Sequence, residues 1–275
     1  MNFKQFRKIL GIYYYRKKKR YQSCKIGNST YNIVPKSIRD SPDLDDAWFY
    51  ELCKYHKNIF DIGSNTGYFS LIAANLSHVE KVVLVDPNPE ALAIAAENII
   101  YNNLGIKAHF ITAFISDSNG DDVKFYTVGT GAAGSMFSSH ATSAAILNSF
   151  FFVKTLSLDE VSKKINILPD FIKLDVEGAE ILALNGCNII AKSQTCKILV
   201  EVHSNPELNI SENFKNILHW CKNSGYLAFY LTDHSLIYSN EKIINRDKFH
   251  LLLLPEKMEY PDYLKTINEG DKIAW

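Results

Sequence analysis

From residue 58 onward the chain alternates short apolar runs, several ending on an acidic or glycine residue, with longer stretches of helical period. That rhythm is the mark of βαβ units on a parallel sheet. Strands read over 58–62, 81–85, 108–113, 171–174 and 197–202, and helices over 67–76, 89–102, 158–165 and 214–223. The second helix sets Ala91, Leu92, Ile94, Ala95, Ile99 and Ile100 among good helix formers. Runs at 227–232 and 249–254 read as an antiparallel edge pair, completing a seven-stranded, mostly parallel Rossmann-like α/β sheet flanked by helices. Segment 116–156 breaks the pattern: strand-like 123–128 and 150–155 bracket a small-residue stretch, 129–149, that fits no period. It is expected as an insertion beside the active site. The expected division is a basic N-terminal segment over 1–45 and a Rossmann-like domain over 46–275.

Length and charge narrow the classes further. A chain of 275 residues can bury a full core, and its five cysteines, Cys24, Cys53, Cys187, Cys196 and Cys221, lack the spacing of a structural zinc site. They are expected as reduced, mostly buried thiols. No stretch approaches the ~20 apolar residues of a membrane span, and the N-terminus lacks the apolar core of a signal peptide, so the expected compartment is the cytoplasm. Net charge is zero, yet residues 1–39 hold eleven Lys and Arg and no acid, leaving the remainder at −11. Phe3, Phe6, Leu10 and Tyr13 recur there at helical spacing. This segment reads either as a solvated helix capping the domain or as a peripheral contact of residues 1–20 with the inner face of an anionic membrane. No nucleic-acid partner is expected, because one short basic run does not make a binding face.

In an open α/β sheet ligands gather at the carboxyl ends of the strands. Asp61-Ile-Gly63-Ser64-Asn65-Thr-Gly67 follows the first strand and opens a helix; its glycines admit a tight turn and close backbone approach. Asp61 is expected to accept from an ammonium group such as that of a methionine moiety. By itself the turn is only a strand-to-helix connection. At the next strand tip, however, stands Asp86, followed by Pro87, where a carboxylate can take both ribose hydroxyls. Together the two motifs predict an adenosine-binding half-site. A third motif, Asp175-Val-Glu177-Gly-Ala-Glu180, and a fourth, Glu201-Val-His203, end the following strands. Several carboxylates in one partly dry crevice raise the chance that one holds a proton, a cationic ligand or a metal ion. Glu180 reads as a partner of a helix N-terminal dipole. His203 reads either as a general base or as a structural histidine.

The motifs at 61–67, 85–89 and 172–180 together resemble the FkbM family of methyltransferases over roughly 61–203, with Asp-Val-Glu-Gly-Ala-Glu the most specific part. The chain departs from the family at Ser64, often alanine there, and at Asp86, often glutamate; in 129–149 only Gly134-Ser135 is family-like. The resemblance implies a class I fold and S-adenosylmethionine, with Asp61, Gly63, Ser64, Asn65, Gly67, Asp86, Pro87, Ala113 and Asp175 as the binding set. It also implies O-methylation of a hydroxyl on a sugar, glycan or natural product. The base is expected among Asp175, Glu177, Glu201 and His203. Alternatively Asp175 and Glu201 ligate a divalent ion that acidifies the hydroxyl. Two rivals stand beside this reading, a nicotinamide oxidoreductase and a non-catalytic binding module; the first lacks the third glycine of its fingerprint. A nucleobase-amino methyltransferase would want Asn/Asp-Pro-Pro-aromatic where this chain has Asp175-Val-Glu-Gly. Neither acceptor nor oligomeric state is written in these motifs.

Overall fold

The computed structural model describes residues 21–273 apart from 40, 42, 130–133, 138–140 and 205–208. The helix expected near the N-terminus lies outside the described residues. In chain order the strands are β1 (Gln22–Ile26), β2 (Ser29–Ile33), β3 (Asn58–Ile62), β4 (Lys81–Asp86), β5 (Ala108–Thr112), β6 (Phe114–Ile115), β7 (Asp122–Tyr126), β8 (Phe150–Leu156), β9 (Phe171–Leu174), β10 (Lys197–His203), β11 (Tyr226–Tyr230), β12 (Ser235–Leu236) and β13 (Lys248–Pro255).

The central sheet runs β12-β11-β13-β10-β9-β3-β4-β5. Strands β5, β4, β3, β9 and β10 are parallel, while β13 inserts antiparallel between β10 and β11. The sheet therefore has eight strands rather than the seven expected. The extra one, β12, is two residues long and hydrogen-bonds to the outer edge of β11, too short to leave a periodic trace. Central strands are buried on both faces and read as continuous apolar runs, as parallel sheets do. One core layer gathers Phe60, Val83, Ile172 and Val200 with helix Ile210–Ser224; the other gathers Ile59, Leu84, Phe171 and Leu199 with helices Asp46–Cys53 and Tyr68–Asn75.

Two additions shape the ligand end. Hairpin β1–β2 sends Ile26, Tyr31 and Ile33 into the second core layer, so the chain from Gln22 on folds with the domain. Its continuation is tied to helix Pro89–Tyr101, where the Asn98 carboxamide accepts from Val34 N at 2.8 Å and donates to Ser37 Oγ at 3.1 Å and Thr66 O at 3.0 Å. The insertion forms a small sheet, β6-β8-β7, whose inner residues Phe114, Phe125 and Val153 pack with Ala179. Among the described residues no helix is long and apolar enough to cross a membrane.

Candidate functional site

The strand order reverses between β3 and β9, and there a cleft of about 410 Å³ opens at the carboxyl ends of the strands. Its floor is the bend after β3. Gly63 and Ser64 donate their N–H groups to Val85 O at 2.9 and 3.2 Å, which lays the bend against β4. Asn65 N then donates to Asp86 Oδ2 at 2.8 Å, and Asn88 N to Asp86 Oδ1 at 2.8 Å. Each carboxylate oxygen keeps a further lone pair for a ligand. Burial pushes the Asp86 carboxyl up to about 6, against the pull of those two N–H groups. Gly63 has φ +81°, and a Cβ there would fall 1.7 Å from the carbonyl oxygen of Asp175, so only glycine lets the bend close on β9.

Ile62, Gly63, Ser64, Asn65, Asp86, Pro87, Ala113, Asp175 and Glu177 all line this cleft. Two expected members do not. Asp61 is 1% exposed and lies behind the wall; register places it beside Lys173, and Ser70 Oγ donates to its Oδ2 at 2.6 Å. Its hydrogen-bond partner belongs to helix Tyr68–Asn75, on the face of β3 which that helix covers. Gly67 begins helix Tyr68–Asn75 at φ +85°, and a Cβ there would meet Ala95 Cβ at 2.9 Å; it serves helix packing rather than the cleft.

Beneath Asp175 lies a charge cluster. Lys173, 1% exposed, sets its Nζ 2.9 Å from Asp175 Oδ2, 3.7 Å from Asp45 Oδ2 and 4.3 Å from the centre of the Phe69 ring. Burial works against its charge, but Asp175 and Asp45 outweigh that and hold it protonated. Asp175 itself is pushed up to about 7, mainly by burial, with Lys173 pulling the other way and Glu201 adding to the rise. His203 is 7% exposed; its Nδ1 lies 3.1 Å from Glu180 Oε1 and its Nε2 lies 3.6 Å from both Glu177 and Glu201. Burial disfavours the imidazolium, yet Glu180 and Asp175 raise it to about 10.

Glu201 and His203, expected at the crevice, are therefore absent from the cleft lining and sit behind it. A histidine already protonated at neutral pH is also a poor base. The expected metal pair is divided: Glu201 turns to Lys248, 2.5 Å away, and shares a buried trio with Asp45 and His250, whereas Asp175 groups with Glu177 and His203. Glu180 stands, as expected, in the first turn of helix Glu180–Asn185, and also accepts from Gly178 N through one oxygen and from Asn213 Nδ2 at 2.9 Å through the other.

Sequence reasoning passed over Lys173, although a lone lysine inside an apolar run is a signal. It also passed over Lys36, Ser37, Ile38 and Arg39, a strap after β2 that lines the cleft, and Phe125 and Thr127 from the insertion. Ser135 is 1% exposed and donates from Oγ to Glu177 O at 3.1 Å, fastening the insertion to the bend after β9. Part of 129–149 lies outside the described residues.

Residues 61–228, more than half of the chain, match the family model described as the methyltransferase FkbM domain. No curated protein matches the sequence. Among solved structures, a methyltransferase FkbM from Methylobacillus flagellatus KT aligns over 72% of this chain and 43% of its own, at 14% identity and a TM-score of 0.46. Trm5b from Pyrococcus abyssi aligns over 86% and 55%, at 13% identity and 0.44. Cofactor-bound Rv0187 from MTB aligns over 77% and 79%, at 11% identity and 0.46. The chain thus spans about half the length of the first two.

Proposed function

This chain belongs to the FkbM methyltransferase family, and from that premise we propose that it moves a methyl group from S-adenosylmethionine to a hydroxyl of a sugar, glycan or other hydroxylated small molecule. The observation that carries the donor half is the hydrogen bond from Asn65 N to Asp86 Oδ2, which brings the ribose-binding carboxylate and the glycine bend onto one cleft. The residues present fit the donor. The volume lies within the ~300–1,000 Å³ of small-molecule sites, Asp86 offers paired acceptors to a diol, and Ala113, Phe114 and Ile115 give an apolar wall for a base. Asp175 and Glu177 offer negative charge to a cation.

When bound, S-adenosylmethionine supplies an electrophilic methyl carbon on a sulfonium. The chain must hold the acceptor oxygen in line with it, and positioning of that kind removes much of the barrier. Asp175 is the group we assign to the acceptor's proton. It lines the cleft, and burial sets its carboxyl near neutrality, where an acid can exchange protons at working pH. Lys173 fixes the carboxylate from below, and Phe125 and Thr127 border the space left for an acceptor.

The test is incubation with isotopically labelled methyl donor and glycan or lipid-linked sugar pools, followed by mass analysis of the product. A labelled O-methyl ether supports the reading; label on nitrogen or carbon, or none at all, overturns it. A second reading has one observation in its favour: Asp175, Glu177 and His203 offer ligand atoms within 4.8 Å of one another. Those three residues would hold a divalent ion that acidifies the hydroxyl. Turnover that survives exhaustive chelation eliminates this version.

A further inference from the structure

Among the described residues five charged ones line the cleft: Asp86, Asp175 and Glu177 are anions, Lys36 and Arg39 are cations. The donor proposed above carries a sulfonium and an ammonium, to which Asp175 and Glu177 offer negative charge, and one carboxylate, for which the two cations remain among the described residues. These two stand at opposite ends of the strap. Ser37, next to Lys36, is bound through its Oγ by Asn98 of helix Pro89–Tyr101, which packs on the β4 side. Arg39 instead lies with its guanidinium 4.1 Å from the centre of the Tyr68 ring and 5.0 Å from that of Phe69, the ring that also carries Lys173 Nζ at 4.3 Å. Lys173 belongs to β9, on the other side of β3 from β4, so Arg39 stands at the end of the cleft away from the ribose carboxylate.

Arg39 is also held ready. Its Nη2 is ion-paired with the fully buried Asp46, whose other oxygen accepts from Tyr68 Oη at 2.5 Å. Asp43 stands 3.9 Å from Nη1. Its Nε has no hydrogen-bond acceptor among the described residues. A guanidinium has five donors in a rigid fork, so one edge can stay on Asp46 while the others meet a second carboxylate.

We infer that Arg39 recognises the carboxylate of the donor's amino-acid tail. This is a binding role for a residue outside the strand tips, and it rests on the donor assignment made above. The experiment is calorimetric titration of the full chain and of R39Q with two ligands, S-adenosylhomocysteine and 5′-methylthioadenosine, which share the nucleoside and differ in the tail. R39Q is expected to weaken S-adenosylhomocysteine about ten- to a hundredfold and to leave 5′-methylthioadenosine unchanged. R39K, which keeps the charge without the fork, should recover part of the loss; should R39Q fail to fold, R39K carries the same comparison. Equal weakening of both ligands makes Arg39 a scaffold residue and overturns the inference, as does no change in either. If the unaltered chain binds neither ligand, the donor assignment itself fails and the inference with it.

Discussion

Asp175 is where three demands meet at one residue. Its carbonyl closes on Gly63, its carboxylate holds Lys173, and that carboxylate lines the cleft. If it takes the acceptor's proton, D175N should lower kcat by roughly 10²- to 10⁴-fold, measured as initial rates of methyl transfer. The base must be ionised to work, and burial lifts it to about 7. Rates should therefore fall as pH drops through neutrality and level off above it. Lys173 pulls this carboxyl down, so K173M should move the acid limb to higher pH; a limb that stays in place would remove Asp175 from the role. Gly63 gives a separate test of the same junction. G63A forces a side chain into left-handed backbone and onto a carbonyl, and the conformational part alone costs about 1–2 kcal/mol. A clear drop in Tm is expected, with nucleoside binding lost. Lys173 shows why sequence reading stopped short at this scale: its meaning comes from Asp45 and Asp61, which reach it only through packing and register.

At the scale of elements, the strands and helices of the βαβ units were legible because apolar runs and helical periods are local properties. The bend after β3 and Asp86 after β4 were legible too, since their positions follow from where strands end. The strap was not. Residues 36–39 have no period, and their place over the cleft is imposed by Asn98, about sixty residues away in sequence, whose carboxamide also binds Val34 and Thr66. Nor was the inward or outward aim of Asp61 and Glu201 legible, because alternation on strands buried on both faces leaves no polar side to mark register. Asn98 is 0% exposed and satisfies three partners, so N98A costs about 1–3 kcal/mol at the buried bond to Thr66 O and less at the part-buried bonds to Val34 N and Ser37 Oγ. Thermal unfolding should show the loss. If the strap carries Arg39 to its place, S-adenosylhomocysteine affinity should fall with it while the sheet's far-UV signature stays; intact affinity would show that the strap needs no such anchor.

For the whole molecule, the cluster behind the cleft ties four elements together. His203 ends β10 and meets Glu180, which begins the helix Glu180–Asn185. Asn213 of helix Ile210–Ser224 donates to both Glu180 Oε2, at 2.9 Å, and His203 O, at 3.1 Å. Glu177 and Asp175, after β9, face the same ring from the other side. The imidazolium is thus worth more to the folded chain than to the unfolded one, where a histidine titrates near 6.5. In the native protein burial opposes its charge but Glu180 and Asp175 raise it to about 10. Between about 6.5 and 10 the native chain holds a proton that the unfolded chain has released, so stability must fall as pH rises through that window. Below about 6.5 both states hold the proton and the contribution is complete. Asp175 acts at lower pH, while the thiols of Cys53, Cys187, Cys196 and Cys221, pushed up by burial, steepen the upper part of the window equally with and without His203. H203Q keeps a side chain of similar reach without the titration. Its Tm should be lower than that of the unaltered protein at pH 6.5, and its decline with pH should be shallower, so that the two curves converge toward pH 10. Parallel curves across the window would mean that the ring is neutral in the native state, and would return His203 to consideration as a base.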